Sequence, residues 1–315
     1  MPTTKSPKHG SLQIWPRKRA KKFLPRVNWD AINSKKSLRG FIGYKAGMVS
    51  VSVKDNTPTS MTKGKKIIIP ATIVECPPMK VFSIRLYKNG IVAGEIMNEN
   101  VDKEMKRNVR LTTEKKESVH SLDKKESYDD IRLIVYSQPK KADLKKTPDI
   151  SELGLSGSLD EKANFAKENF NKEISITNVF SKGELVDFRG LTTGRGFSEP
   201  VKRFGITLKS HKSEKGQRRP GSLGPWHPSR VTFYAAQAGN IGMFTRISYN
   251  SKILDMGKAE NKFTNMKNFG DVKTDYLLVN GSLQGPVKRQ LLITTPLRET
   301  KKQAKKNLEL VAILK

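Results

Sequence analysis

Residues 81–97 read Val-Phe-Ser-Ile-Arg-Leu-Tyr-Lys-Asn-Gly-Ile-Val-Ala-Gly-Glu-Ile-Met. Two strand-forming runs, Val81–Lys88 and Ile91–Met97, flank the dipeptide Asn89-Gly90. Asn-Gly supplies the two positive φ angles of a type I′ turn, whose twist matches paired antiparallel strands. This stretch predicts a β-hairpin, and similar runs recur around it. Residues 41–53 mix glycine with strand formers. Residues 67–74 form a β-branched run broken at Pro70, which points to an edge or a strand start there. Further strands are expected at 131–136, 185–191, 276–280, 287–294 and 308–314. Many short strands with Gly and Pro turns predict an all-β barrel or sandwich.

Helical signals are fewer. Ser158-Leu159-Asp160-Glu161 followed by residues 162–169 predicts a capped helix, with Phe165 and Phe170 near one face. Residues 100–120 offer Val101, Met105 and Val109 at a spacing of four.

The 315 residues carry 60 Lys and Arg against 30 Asp and Glu, a formal charge of +30. A compact particle so charged repels itself, and a polyanion cancels that repulsion. Nucleic acid is the leading candidate. No run approaches the ~18–20 apolar residues of a membrane-crossing helix, and the first thirty residues lack a secretory apolar core. Cys76 is the only cysteine, so no internal disulfide forms. Its simplest role is that of a small buried hydrophobe at a strand end. With His9, His120, His211 and His227 it makes no metal-ligand spacing. These features predict an intracellular protein that faces RNA or DNA and carries no metal or cofactor.

The charge is uneven. Residues 1–40 hold eleven basic side chains and only Asp30 as an acid. Residues 195–230 hold nine, against Glu199 and Glu214. Residues 100–175 hold sixteen basic and fifteen acidic, the balance of an ordinary solvated surface. The amino-terminal arm reads as non-globular alone, with Trp15, Phe23 and Trp29 available to stack on unpaired bases. Residues 207–231 form a long irregular loop. Trp226 stands near its end, between Pro225 and Pro228. It is either tucked onto the protein core or a stiffened tip that inserts among RNA bases.

No catalytic constellation emerges. Residues 190–197, Gly-Leu-Thr-Thr-Gly-Arg-Gly-Phe, lack the Gly-Lys-Ser/Thr ending of a phosphate-binding loop. Gly194 and Gly196 suit a tight turn or a close backbone approach. A catalytic histidine usually needs an orienting carboxylate; His9 and His120 have no evident acid or base partner, and the nearest carboxylate to His211, Glu214, reads equally as a surface residue.

Five ordered motifs then carry a family resemblance. They are residues 9–20 (His9-Gly10-Ser11-Leu12 through Pro16-Arg17-Lys18-Arg19-Ala20), 41–48, 74–79 (Val-Glu-Cys-Pro-Pro-Met), 189–197 and 224–231 (Gly-Pro-Trp-His-Pro-Ser-Arg-Val). Together they resemble the family of universal large-subunit ribosomal protein number three, in its archaeal form. The resemblance implies a mainly β fold. It would be a translation-protein-type β-barrel with an α+β insertion, a long basic irregular loop extension and a non-globular basic N-terminal arm. The expected segments are an arm at 1–40, barrel at 41–99, insertion at 100–175, barrel at 176–204, extension at 205–268, and last strands at 269–315.

The resemblance also implies a structural, non-enzymatic role in the cytoplasmic large ribosomal subunit. The chain would bind large-subunit rRNA early, nucleate assembly, and reach toward the peptidyl transferase centre with Trp226 at the tip. Neighbouring proteins would include large-subunit numbers fourteen and twenty-four, with no membrane and no small-molecule substrate. His211 best matches a histidine methylated in some eukaryotic members. Expected rRNA contacts are Lys8, His9, Arg17, Lys18, Arg19, Lys21, Lys22, Arg26, Lys45, Arg195, Lys202, Arg203, His211, Lys215, Arg218, Arg219, Trp226, His227 and Arg230. Arginine suits bidentate phosphate contacts, which favours Arg17, Arg19, Arg195, Arg203, Arg218 and Arg219 as positioning residues. The competing readings are a nucleic-acid architectural protein and an RNA-modifying enzyme.

Overall fold

The computed structural model describes residues 15–34, 36–110, 128–260 and 262–314. The chain divides into two compact units. One comprises the residues up to Phe23 together with Leu191–Arg246; the other comprises Leu24–Gly190 and Ile247 onward.

The strands in chain order are β1 (Gly40–Asp55), β2 (Lys66–Cys76), β3 (Met79–Lys88), β4 (Ile91–Met97), β5 (Asp130–Ser137), β6 (Ile150–Gly154) and β7 (Glu173–Ile174). There follow β8 (Leu185–Leu191), β9 (Phe197–Ser198), β10 (Gly239–Asn240), β11 (Thr245–Lys258), β12 (Asp275–Asn280), β13 (Gln290–Thr294) and β14 (Leu308–Leu314). The helices are α1 (Leu159–Asn169), α2 (Pro200–Phe204) and α3 (Lys301–Ala304).

In the larger unit one sheet runs β13-β8-β11-β12-β2-β1-β14, and β1 also pairs with β13. The pairings therefore return on themselves through six strands. β1 makes this possible by changing partner along its length. Gly40–Tyr44 pair with β13, whereas Ser50–Asp55 pair with β14. Between them the register against β2 shifts between Lys45 and Gly47. Such a bulge bends a strand and increases its twist. Gly47 fits there because a Cβ on it would lie 2.6 Å from the Met266 methyl. Pro70 sits inside β2, opposite Ser50 of β1. It lies one residue before β12 begins pairing at Ala71. Its missing N–H thus falls where β2 has a single partner, which is how the strand runs through a proline.

The second sheet runs β4-β3-β5-β6, with β7 also on β3. The hairpin expected at 81–97 forms with Asn89 at φ 50° and Gly90 at φ 76°. It belongs to this sheet, so the segment boundary expected at residue 99 falls within the sheet. Helix α1 begins at Ser158, which accepts from the Glu161 N–H while the Glu161 carboxylate accepts from the Ser158 N–H. That reciprocal cap closes the helix start. Its Ala163 and Ala166 are buried. Around 100–110 only a short 3₁₀ turn, Lys103–Arg107, is present, with Met105 fully buried. The rest of that expected helix lies outside the described residues. One core joins both sheets and α1, through Ile42, Tyr44, Val74, Val81, Ile84, Leu133, Val135 and Ala166.

Residues 24–40 do not remain non-globular. Trp29, Ile32 and Leu38 are buried in that core. Leu38 bridges to Leu155, and the Ser156 N–H donates to the Ser37 carbonyl at 2.9 Å. The Trp29 ring lies against two glycines. A Cβ on Gly40 would come within 2.9 Å of the ring, and one on Gly154 within 2.7 Å of the Trp29 Cβ. The segment lacks period because it follows the core as irregular chain.

Cys76 ends β2, wholly buried, and burial first, then Asp275 and Glu75, pushes its thiol well up. A thiol so placed is a packing group, not a nucleophile. Glu75 beside it is also fully buried. Its Oε1 accepts from the Lys273 N–H (2.8 Å) and the Thr274 N–H (3.0 Å), while Oε2 has no partner among the described residues. Burial raises its pKa, against the pull of those donors. A carboxyl raised in the folded state binds its proton more readily folded than unfolded. Its stabilising contribution is therefore full below the unfolded carboxylate pKa and is lost as pH rises through the folded value. Glu75→Gln should flatten that dependence and raise the urea midpoint at neutral pH. Equal slopes of midpoint against pH in variant and parent, between about pH 4 and pH 7, would refute this.

Candidate nucleic-acid interface

The smaller unit is built by local pairing at its base and irregular chain beyond. The Thr192 N–H donates to the Phe244 carbonyl (3.0 Å), Arg195 to Ile241 (3.0 Å), and Ile241 back to Gly196 (3.0 Å). β9 and β10 continue the ladder. Gly242 has φ 82°, and a Cβ there would lie 2.0 Å from the Thr193 carbonyl oxygen, so only glycine fits. Helix α2 starts on Pro200 and stops at Gly205, which is left-handed with φ 66°. Residues 206–238 carry no helix or strand.

The described part of the arm closes this unit. The Ala20 N–H donates to the Met243 carbonyl at 2.9 Å. The Trp15 ring packs on Phe204, Phe233 and Tyr234, at centroid distances of 5.2, 6.2 and 5.6 Å. The Arg17 guanidinium lies 4.4 Å from the Phe204 centroid. Arg17 and Arg203 then hold each other reciprocally. Arg17 Nη1 donates to the Arg203 carbonyl, and Arg203 Nη2 to the Arg17 carbonyl. Arg203 also donates to the carbonyls of Asn240 (3.1 Å) and Gln237 (3.2 Å). Burial first, then the nearby Arg203 and Arg246, lowers the Arg17 pKa, and burial lowers that of Arg203.

These contacts sort the expected residues. Arg17 and Arg203 are staples between arm and extension. Trp29 is buried in the core, and Trp15, half-buried, packs on protein rings. Lys45 is a correction: it is buried, and its ammonium donates to the carbonyls of Leu283 (2.7 Å) and Gly285 (3.0 Å). Burial also lowers the pKa of that ammonium. Arg218 is exposed but paired with Glu199. Lys18, Arg19, Lys21, Lys22 and Arg26 are exposed, as are Arg195, Lys202, His211, Lys215, Arg219, His227 and Arg230. Lys8 and His9 lie outside the described residues.

Trp226 is 85% exposed, so it is not tucked onto a core. It opens a tight turn in which the Ser229 N–H donates to its carbonyl at 2.6 Å. Ser229 at φ 52° closes that turn. An open cleft of about 620 Å³ lies nearby in sequence, with Lys215, Arg219 and Leu223 among its walls. The arrangement offers phosphate contacts and stacking faces. Among the described residues no cluster of His, Cys, Asp and Glu could hold a metal ion. No described helix is long and apolar enough to cross a membrane. Sequence reasoning missed the Phe204–Phe233–Tyr234 cluster. Its one trace is the Phe233-Tyr234 doublet, which lacks meaning until Trp15 is brought to it.

The chain matches the family described as Ribosomal protein L3 over residues 1–313. It is similar to the "Large ribosomal subunit protein uL3" of Archaeoglobus fulgidus, 37% identical over 309 residues, covering 94% of this chain and 93% of that protein. The protein of the same description from Methanocaldococcus jannaschii is 36% identical, covering 93% and 91%. That from Methanococcoides burtonii is 39% identical, covering 93% and 92%.

Proposed function

Since the chain belongs to the ribosomal protein L3 family, whose members are structural and not enzymes, we propose that it builds the large ribosomal subunit by binding its RNA. The coarser statement, a structural constituent of the large subunit, follows from the family. Neither an RNA-modifying enzyme nor a free-standing architectural protein fits that membership.

The finer reading is that the six-strand pairing circuit is a closed barrel that fixes register on the RNA. The smaller unit and the arm thread between RNA helices, replacing counterions with Lys and Arg. The extension reaches toward the peptidyl transferase centre with Trp226 at its tip. The proposed neighbours, large-subunit proteins numbers fourteen and twenty-four, rest on the family resemblance alone. One observation carries the reading: a tryptophan held on a stiff turn, 85% exposed, on a strongly basic extension.

Trp226→Ala tests it. Because the ring is 85% exposed, the variant should fold and co-sediment with large subunits like the parent. Aminoacyl-tRNA accommodation on those ribosomes should change several-fold. Parent-like accommodation would overturn the tip reading. Absence of the parent chain from large subunits at moderate salt would overturn the whole.

A further inference from the structure

The Thr232 carbonyl accepts from the Ala235 N–H at 3.1 Å, closing a four-residue turn. Phe233 and Tyr234 occupy its two central positions. Their rings stack on each other at 4.3 Å and 28°. Both also touch the Trp15 ring, which rests on Phe204 and the Arg17 guanidinium. Turn tips favour Gly, Pro, Asn, Asp and Ser, and two aromatic residues there are out of place in water. Even so, Phe233 is 61% exposed and Tyr234 55%. The pair is thus fixed from one side and open on the other.

We propose that the Phe233–Tyr234 pair is a stacking platform for an unpaired nucleobase of the RNA, a site separate from the Trp226 tip. The inference rests on the RNA-binding reading above and names a further contact within it. Charge chooses the occupant. Residues 191–246 carry ten Lys and Arg against Glu199 and Glu214, and Glu199 is paired with Arg218. Exposed Arg230 stands three residues before Phe233. A flat aromatic face on a segment with this excess of positive charge matches a base with its phosphate, since every base has a π-face and stacking tolerates sequence. Trp15, Phe204 and Arg17 act as positioning residues that hold the plate rigid, so little ordering entropy is lost when the base arrives.

The test uses intact large subunits containing the full chain. Ultraviolet irradiation followed by peptide mass spectrometry should yield a nucleotide adduct on the peptide bearing Phe233 and Tyr234. The double variant Phe233→Leu, Tyr234→Leu keeps apolar bulk but loses both π-faces. Its subunits should still assemble, with one unpaired nucleotide about tenfold more reactive to base-specific probes, as expected for a lost stacking contact. No adduct on that peptide, unchanged reactivity everywhere, or crosslinks from the pair to a neighbouring protein would overturn the proposal. If the double variant fails to enter subunits, the adduct in the parent decides alone. Loss of the parent chain from large subunits would instead defeat the RNA-binding reading itself.

Discussion

Trp29→Ala is expected to destabilise the larger unit by about 3–5 kcal/mol, the cost of emptying a large aromatic site in a packed core. The indole is 2% exposed and sits over Gly40 of β1 and Gly154 of β6. Those two strands belong to different sheets, so the ring fills the space where the sheets meet. Neither glycine can relax inward to fill the void, having no side chain. The Arg39 guanidinium also donates to the Trp29 carbonyl at 2.6 Å, so the chain around the ring is tied to the start of β1. Gly154→Val should cost a similar amount from the opposite direction, by driving a branched side chain into the indole. Urea denaturation followed by far-ultraviolet circular dichroism checks both. A parent-like midpoint for Trp29→Ala would mean that residues 24–38 behave as a tail, as their composition first indicates.

The second large effect is on salt dependence. Binding of the full chain to a large-subunit RNA fragment should weaken about 10³- to 10⁵-fold between ~50 and ~200 mM salt, if six to ten phosphates are neutralised. The structure predicts which cations contribute. Arg19→Gln and Arg219→Gln remove exposed guanidinium groups, and each should reduce the slope by about one. Lys45→Met should leave the slope unchanged, because its ammonium already serves the Leu283 and Gly285 carbonyls. It should instead lower stability by leaving those carbonyls unpaired. Arg203→Gln should act through structure, releasing the Arg17, Gln237 and Asn240 carbonyls and loosening the smaller unit. Equal slope changes for Lys45 and Arg219 would show that burial does not decide which cations meet RNA.

Features set within a few residues were legible from the chain. Asn89-Gly90 forms the turn it encodes, because only certain residues accept two successive positive φ angles. Ser158 and Glu161 cap α1 because both halves of the cap lie three residues apart. Strands β8 and β14 run over the same residues that their apolar runs mark. Strand β11 was not legible. Its sequence Thr-Arg-Ile-Ser-Tyr-Asn-Ser-Lys-Ile-Leu-Asp-Met-Gly-Lys lacks clean alternation, and Asn250 within it adopts φ 53°. That residue is held by the Asp187 carboxylate, which accepts from its N–H, and by the Arg298 carbonyl, which accepts from its side chain. Both partners lie dozens of residues away.

By itself the sequence determined the excess of cations, their concentration in an arm and a loop, the β class, the hairpin, the helix cap and the family. Each is a sum over residues or a local preference. Only the tertiary structure decided which cations are committed inside the protein and which remain exposed. Lys45 meets carbonyls 238 and 240 positions away, and Arg17 meets one 186 positions away. It also decided that β1 serves both β13 and β14, that Trp29 is core, and that Trp226, Phe233 and Tyr234 keep open faces. Charge is additive along a chain, but burial is not: it depends on which distant segments close over a side chain.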